Sequence, residues 1–168
     1  MELNLQKLLS AKGERESGDR KLDFSSKDFG SFTVPSPAQM HYDALGENGA
    51  VTLEVVLRAT IYAECARCLV PIKRGWQVQK EYRITRADLL EEYPELPYTP
   101  DGWLDLDELA YGELLLDVDP VLVCSEDCQG LCPKCGQARA ECRCPAESEG
   151  DERLAILKQL LEERDTNS

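Results

Sequence analysis

The sequence predicts an α+β protein: an antiparallel β meander with a barrel-like curl, a few helices, and a C-terminal cysteine-rich zinc-binding segment followed by an amphipathic helix. Three observations carry this expectation. Apolar residues occupy every odd position from Val51 to Ala63, the period of a strand with one buried face. Helical spacing of leucines is confined to short stretches. Six of the eight cysteines fall in the 21 residues from Cys124 to Cys144, beside Gly and Pro, a composition that needs a metal to fold.

In chain order, Leu5, Leu8 and Leu9 predict a short helix over residues 4 to 11, stopped by Gly13. Residues 13 to 28 are polar and charged and read as a loop. Ala38, Met40 and Tyr42 alternate, and Gly46-Glu47-Asn48-Gly49 contains an Asn-Gly pair that tolerates positive φ, so strands near 37 to 44 and 50 to 64 form a hairpin. Trp76, Val78, Tyr82 and Ile84 predict a third antiparallel strand, with Lys80 interrupting its apolar side. Asp105 with Glu108 resembles an N-cap arrangement, and Leu106, Leu109, Ala110 and Leu116 mark one stripe of a helix over 106 to 117 that Pro120 ends. After the cysteines, Leu154, Leu157, Leu160 and Leu161 predict the closing helix. The expected divisions are a core over 1 to 123, a zinc-knuckle segment over 124 to 145 and a helix over 146 to 168, integrated as one domain.

The 168 residues carry a formal charge of −13, which excludes a simple positive coat for phosphate backbones. No apolar run of 18 residues exists and the first residues lack the apolar stretch of a secretory signal, so a soluble cytoplasmic protein with no membrane partner is expected. Charge is segregated. Arg67, Lys73, Arg74, Lys80, Arg83 and Arg86 meet only one acid, Glu81, between residues 67 and 86. From Ala87 to Pro133 there are thirteen acids and no Lys or Arg. One reading is two solvated faces that attract each other within the fold; the other is a basic strip for RNA and an acidic face for a basic protein. Trp76 or Tyr82 could stack on a base, although Trp76 shares the apolar face with Val78 and fits a core position.

A reducing cytosol keeps thiols free, so eight cysteines point to two sets of four metal ligands. Cys65-Ala66-Arg67-Cys68 and Cys132-Pro133-Lys134-Cys135 are Cys-x-x-Cys knuckles. The accounting that leaves no cysteine idle places Cys65, Cys68, Cys124 and Cys128 in one zinc site and Cys132, Cys135, Cys142 and Cys144 in another. A competing arrangement joins Cys124, Cys128, Cys132 and Cys135 locally, leaving the first knuckle with Cys142 and Cys144. Metal-free thiols, an iron–sulfur cluster and a redox dithiol at Cys65 and Cys68 are further alternatives; the spacings fit neither common ferredoxin run, and Leu69-Val70-Pro71 does not supply the helix N-terminus a thioredoxin-like site uses.

Other enzymatic chemistry finds little support. His41 stands alone on an expected strand, the carboxylates show no pairing that separates an acid from a base, and no Gly-rich phosphate loop occurs. Four thiolates close a zinc shell without a position for water. A binding protein with structural zinc, two ions per chain, is therefore expected rather than an enzyme.

Cys65-Ala66-Arg67-Cys68-Leu69 with Pro71, after a long alternating strand, resembles the Cys-x-Arg-Cys-Leu signature of the bacterial YceD family of large ribosomal RNA subunit accumulation proteins. Leu122 to Gly136 is similar to the cysteine-rich segment of one branch of that family, and Asp151-Glu152-Arg153-Leu154 resembles its Asp-Pro-Arg-Leu pattern, with Glu152 in place of proline. The resemblance implies a role in synthesis, processing or stability of 23S rRNA, and a gene commonly beside that of a small large-subunit ribosomal protein. It also implies that Cys65 and Cys68 belong to a shared older site and that the later cysteines are an added module. Two readings follow. In one, a non-enzymatic ribosome-biogenesis factor meets 23S rRNA or its precursor through the six cations between Arg67 and Arg86. In the other, an acidic protein holds a basic large-subunit ribosomal protein.

Overall fold

The computed structural model describes residues 2–10, 12–90 and 95–145. Its elements are β1 (Glu2–Asn4), α1 (Leu5–Ser10), β2 (Glu14–Leu22), β3 (Phe32–Thr33), β4 (Ala38–Glu47), β5 (Ala50–Glu64), β6 (Pro71–Thr85), β7 (Trp103–Asp105) and α2 (Leu106–Asp117). A single 3-10 turn covers Asp88–Leu90. Among the described residues the architecture is mostly β: a curled antiparallel half-barrel of five strands with two helices, and a separate β1–β7 pair.

The longest alternating run becomes the centre of the sheet. Along β5 the odd residues Val51, Leu53, Val55, Leu57 and Ile61 are buried, none more than 2% exposed. β6 pairs with β5 over its whole length, from Ala50 opposite Thr85 to Glu64 opposite Pro71. Along the other edge of β5 lie β4, with Met40 opposite Leu57, and then β3, with Phe32 opposite Ala63. Glu47 faces Ala50, so β4 and β5 are joined by two residues, and their φ of 52° at Asn48 and 78° at Gly49 are those of a type I′ turn.

Two local expectations are corrected. Residues 14 to 22 are not loop but the edge strand β2, paired with β4 at nine positions. Its inward residues begin Glu14, Glu16, Gly18 and Arg20 and end in the one fully buried side chain, Leu22. No apolar period marks such a strand, because backbone pairing and ion pairs such as Arg15 Nε to Asp43 Oδ1 at 2.8 Å hold it in place. On α2, Leu116 is 84% exposed and Leu114 fills its place in the stripe, because Leu114 stands at the i+4 and i+8 spacings from Ala110 and Leu106. The expected helix over 146 to 168 lies outside the described residues.

The helices close the inner face. Asp105 Oδ1 accepts from the N–H groups of Asp107 and Glu108 at 2.9 and 3.3 Å, the N-cap that starts α2. Leu106, Leu109, Ala110 and Leu114 then join the core. α1 lies so close to β4 that a Cβ on Gly46 would stand 2.1 Å from the Leu8 carbonyl oxygen. Phe24, Phe29, Phe32 and Tyr111 form an aromatic cluster between the 23 to 33 segment and α2, with Phe29 and Phe32 stacked at 4.7 Å. Lys80, the polar interruption on the inner side of β6, finds Glu113 Oε2 at 3.7 Å and Asp117 Oδ1 at 3.9 Å on α2. Tyr82 donates to Glu113 Oε1 at 2.5 Å and Trp76 to Asp117 Oδ2 at 2.9 Å. Burial and the Glu113 carboxylate hold the Tyr82 phenol well above its ordinary pKa. No helix among the described residues is long and apolar enough to cross a membrane.

Candidate metal centres

The first knuckle is the turn between β5 and β6. Leu69 N–H donates to the Cys65 carbonyl at 2.9 Å, Cys65 N–H to the Val70 carbonyl at 2.9 Å, and Leu69 takes a φ of 62°. The second knuckle repeats this turn position for position. Gly136 N–H donates to the Cys132 carbonyl at 2.8 Å, Cys132 N–H to the Gln137 carbonyl at 2.7 Å, and Gly136 has a φ of 72°. Both turns pull the backbone back on itself so that two sulfurs point to one side, and both need a left-handed residue right after the second cysteine.

The segment after α2 docks on the first knuckle. Ala66 N–H donates to the Leu122 carbonyl at 2.8 Å and Cys124 N–H reaches Cys65 Sγ at 3.4 Å. The result is two groups, Cys65 with Cys68, Cys124 and Cys128, and Cys132 with Cys135, Cys142 and Cys144; within each group every sulfur lies within 4.8 Å of the others. All eight cysteines are free thiols. Sulfur pairs stand at 3.7 Å (Cys65 and Cys128), 3.6 Å (Cys68 and Cys124) and 3.5 Å (Cys135 and Cys142). A disulfide needs about 2 Å, whereas sulfurs about 2.3 Å from a central zinc stand about 3.8 Å apart. The donor set therefore suits a tetrahedral thiolate-binding ion, and the two groups are capable of holding one metal ion each.

Electrostatics point the same way. Burial opposes ionisation of Cys65, but the N–H groups of Cys124, Arg67 and Cys68 outweigh it and bring its pKa down to about 6. Cys132 is brought to about 6 by the Cys135 N–H, a hydrogen bond from Cys142 and the Lys134 N–H. The neighbours then resist. Despite the Val70 N–H, burial and hydrogen bonding to the other three sulfurs push Cys68 up to about 12, and bonds to Cys142 and Cys135 push Cys144 up to about 12. Without a cation the Cys65 thiolate stands against raised Cys68 and Cys124, and that of Cys132 against raised Cys142 and Cys144; a divalent ion removes that conflict.

The six cations of the expected basic strip do not share a surface. The pleat sets Arg74 and Lys80 on the inner side of β6, opposite Ile61 and Val55, and Lys73 and Arg83 on the outer side, opposite Tyr62 and Thr52. Arg67 Nη1 donates to the carbonyls of Glu126 and Cys128, both at 3.1 Å, and Arg74 to that of Val123 at 3.2 Å. Lys73 lies 5.4 Å from the centre of the Tyr62 ring, and Arg86 donates to Ser10 Oγ at 3.3 Å. His41 sits on the outer face with Nδ1 2.9 Å from Asp19 Oδ1. Arg139 escaped sequence reasoning: its Nη1 lies 3.4 Å from Cys132 Sγ, a contact that an isolated basic residue in a loop does not advertise.

Three uncharacterised mycobacterial proteins are similar to this chain: two from strains of Mycobacterium tuberculosis and one from Mycobacterium bovis, each 29% identical over 148 residues, covering 77% of this chain and 72% of the relative. No solved structure matches it. Residues 53–161, which include every one of the eight cysteines, match the family model described as large ribosomal RNA subunit accumulation protein YceD. On that match, spanning most of the chain and both groups of thiols, the protein belongs to the YceD family.

Proposed function

We propose that the protein is a non-enzymatic factor in the biogenesis of the large ribosomal subunit, supporting synthesis, processing or stability of 23S rRNA in the cytoplasm. A structural zinc ion in each four-thiol group would hold its C-terminal part together. The observation that carries the reading is the pairing of family membership with two four-sulfur groups, since four thiolates leave a bound zinc no position for a reacting water. Cys65, whose pKa is depressed, is fully buried, which argues against exchange with a disulfide substrate. The alternative of an acidic holding partner draws on the acids between 87 and 133. Among these, Asp88 bonds Thr85, Asp105 caps α2, Glu108 pairs with Lys27, and Glu113 and Asp117 face Lys80, so fewer of them remain for a partner than their number suggests.

The test replaces both Cys65 and Cys68 by Ser in cells and compares the ratio of 23S to 16S rRNA with the metal content of the purified variant. A fall in 23S rRNA together with loss of one ion supports the reading. Unchanged 23S rRNA despite loss of the ion overturns it. Crosslinking in cells, with RNA sequencing and identification of bound proteins, then decides between rRNA and a basic ribosomal protein as the direct partner.

A further inference from the structure

We infer that Arg67 is a positioning residue for the first four-thiol group, clamping the turn that carries Cys124 and Cys128 onto the knuckle that carries Cys65 and Cys68. The inference rests on the reading that this group holds a metal ion. The group is assembled from segments more than fifty positions apart in the chain, and something must fix one segment against the other before four sulfurs can converge. Arg67 lies inside the first knuckle, between its two cysteines. Its side chain reaches across to the second segment, where one nitrogen, Nη1, donates to two carbonyls that flank Asp127, those of Glu126 and Cys128, at 3.1 Å each. Cys128 N–H bonds the Ser125 carbonyl at 3.1 Å, so the atoms Arg67 grips belong to the same tight turn that aims Cys128 Sγ at Cys65.

The backbone of the same residue lies close to this turn as well. Gly130 has a φ of 75°, and a Cβ there would lie 3.1 Å from the Arg67 carbonyl oxygen. The turn over 126 to 130 is therefore bonded to the side chain of residue 67 and packs close to its main chain. A cation suits the place as well as the reach does. Four thiolates on a divalent ion would carry a net charge of about −2, and a guanidinium on the turn that holds one of them would offset part of that charge while its planar head satisfies carbonyls. Arg67 is thus occupied at the metal group rather than presented with the other cations. Its replacement would imitate the loss of an RNA contact by loosening the metal.

The experiment uses the full-length protein loaded with cadmium-113, whose four-sulfur sites give separate nuclear magnetic resonance signals that Cys→Ser variants assign. Wild type, Arg67→Ala and Arg67→Lys are challenged with a competing chelator. Arg67→Ala is expected to lower affinity at the first group by about 10- to 100-fold, as loss of an outer-shell partner does, and to shift that resonance at metal saturation. Arg67→Lys should recover part of the loss, and the second group should be unchanged in both variants. First-group affinity within about threefold of wild type, or equal weakening of both groups, overturns the clamp. If wild type itself binds no cadmium at the first group, the metal reading fails and the clamp fails with it. RNA association, measured on the metal-saturated variant, separates the remaining case: loss of RNA binding with intact first-group affinity replaces the clamp by a phosphate contact.

Discussion

Zinc entering the metal-free protein at pH 7 should release at least two protons per four-thiol group, and affinity should fall steeply with acid. The count follows from the individual sulfurs. Zinc binds thiolates, and at pH 7 Cys65 and Cys132, both with pKa about 6, are already largely ionised. In the first group Cys68 is pushed up to about 12, and Cys124 is raised chiefly by its hydrogen bond with Cys128. In the second, Cys144 is pushed up to about 12, and Cys142, although the Cys144 N–H pulls strongly the other way, is raised by the sum of Cys132, burial and Cys135. Each group must therefore shed the protons of at least two thiols. Lowering the pH from 8 to 7 then weakens each site by about 100-fold or more, a factor of ten for every proton displaced. Below about pH 6 the Cys65 and Cys132 thiolates take up protons as well, and the dependence steepens. The same shifts act on the metal-free fold. The contribution of the depressed Cys65 is complete above the ordinary thiol value of 9.0 and is lost as pH falls through about 6. That of the raised Cys68 is present below 9.0 and is lost as pH rises toward 12. Calorimetric titration of zinc into metal-free protein at pH 7, in buffers of different ionisation enthalpy, counts the protons directly. Release of fewer than two per ion, or an affinity flat between pH 7 and 8, refutes the reasoning.

Metal analysis should give two zinc ions per chain. Cys65→Ser and Cys124→Ser should each remove the same ion because their sulfurs share a group, and Cys142→Ser the other; loss of one and the same ion in all three variants contradicts the grouping. Gly46→Ala should lower stability by about 1 to 3 kcal/mol in denaturant unfolding, because its Cβ would stand 2.1 Å from the Leu8 carbonyl oxygen and α1 would have to move. Leu69→Gly should raise stability by about 0.5 to 1 kcal/mol, since Leu69 holds a φ of 62° while 57% exposed and Gly136 does the same work without strain; a lower unfolding midpoint would count against it. Reversing Arg74, Lys80 and Arg83 to Glu together should lower the melting temperature with or without RNA, because Arg74 bonds the Val123 carbonyl and Lys80 faces Glu113 and Asp117. Arg83→Glu alone should leave the fold intact, so a reduced salt slope for RNA in that variant would identify a true phosphate contact.

Local chemistry was legible from the residues in order. A strict period of two from Val51 to Ala63, an Asn-Gly pair before it and an Asp cap before Leu106 each act over a few positions, and each appears where the pattern places it. β2 was not legible, because an edge strand stabilised by pairing with β4 needs no apolar face of its own. The run of cations divides for a related reason. Neighbours in sequence on a strand point to opposite faces, so Lys73 and Arg74 part company as soon as residues 71 to 85 become β6. The cysteines divide the two levels most clearly. Spacing alone identifies two knuckles and a supply of eight thiols, yet it allows Cys124 and Cys128 to join either the distant Cys65 or the adjacent Cys132. Only the tertiary structure decides, because α2 packs across the sheet and returns the chain to the β5–β6 turn, where the Ala66 and Leu122 backbones meet at 2.8 Å and bring Cys124 within reach of Cys65.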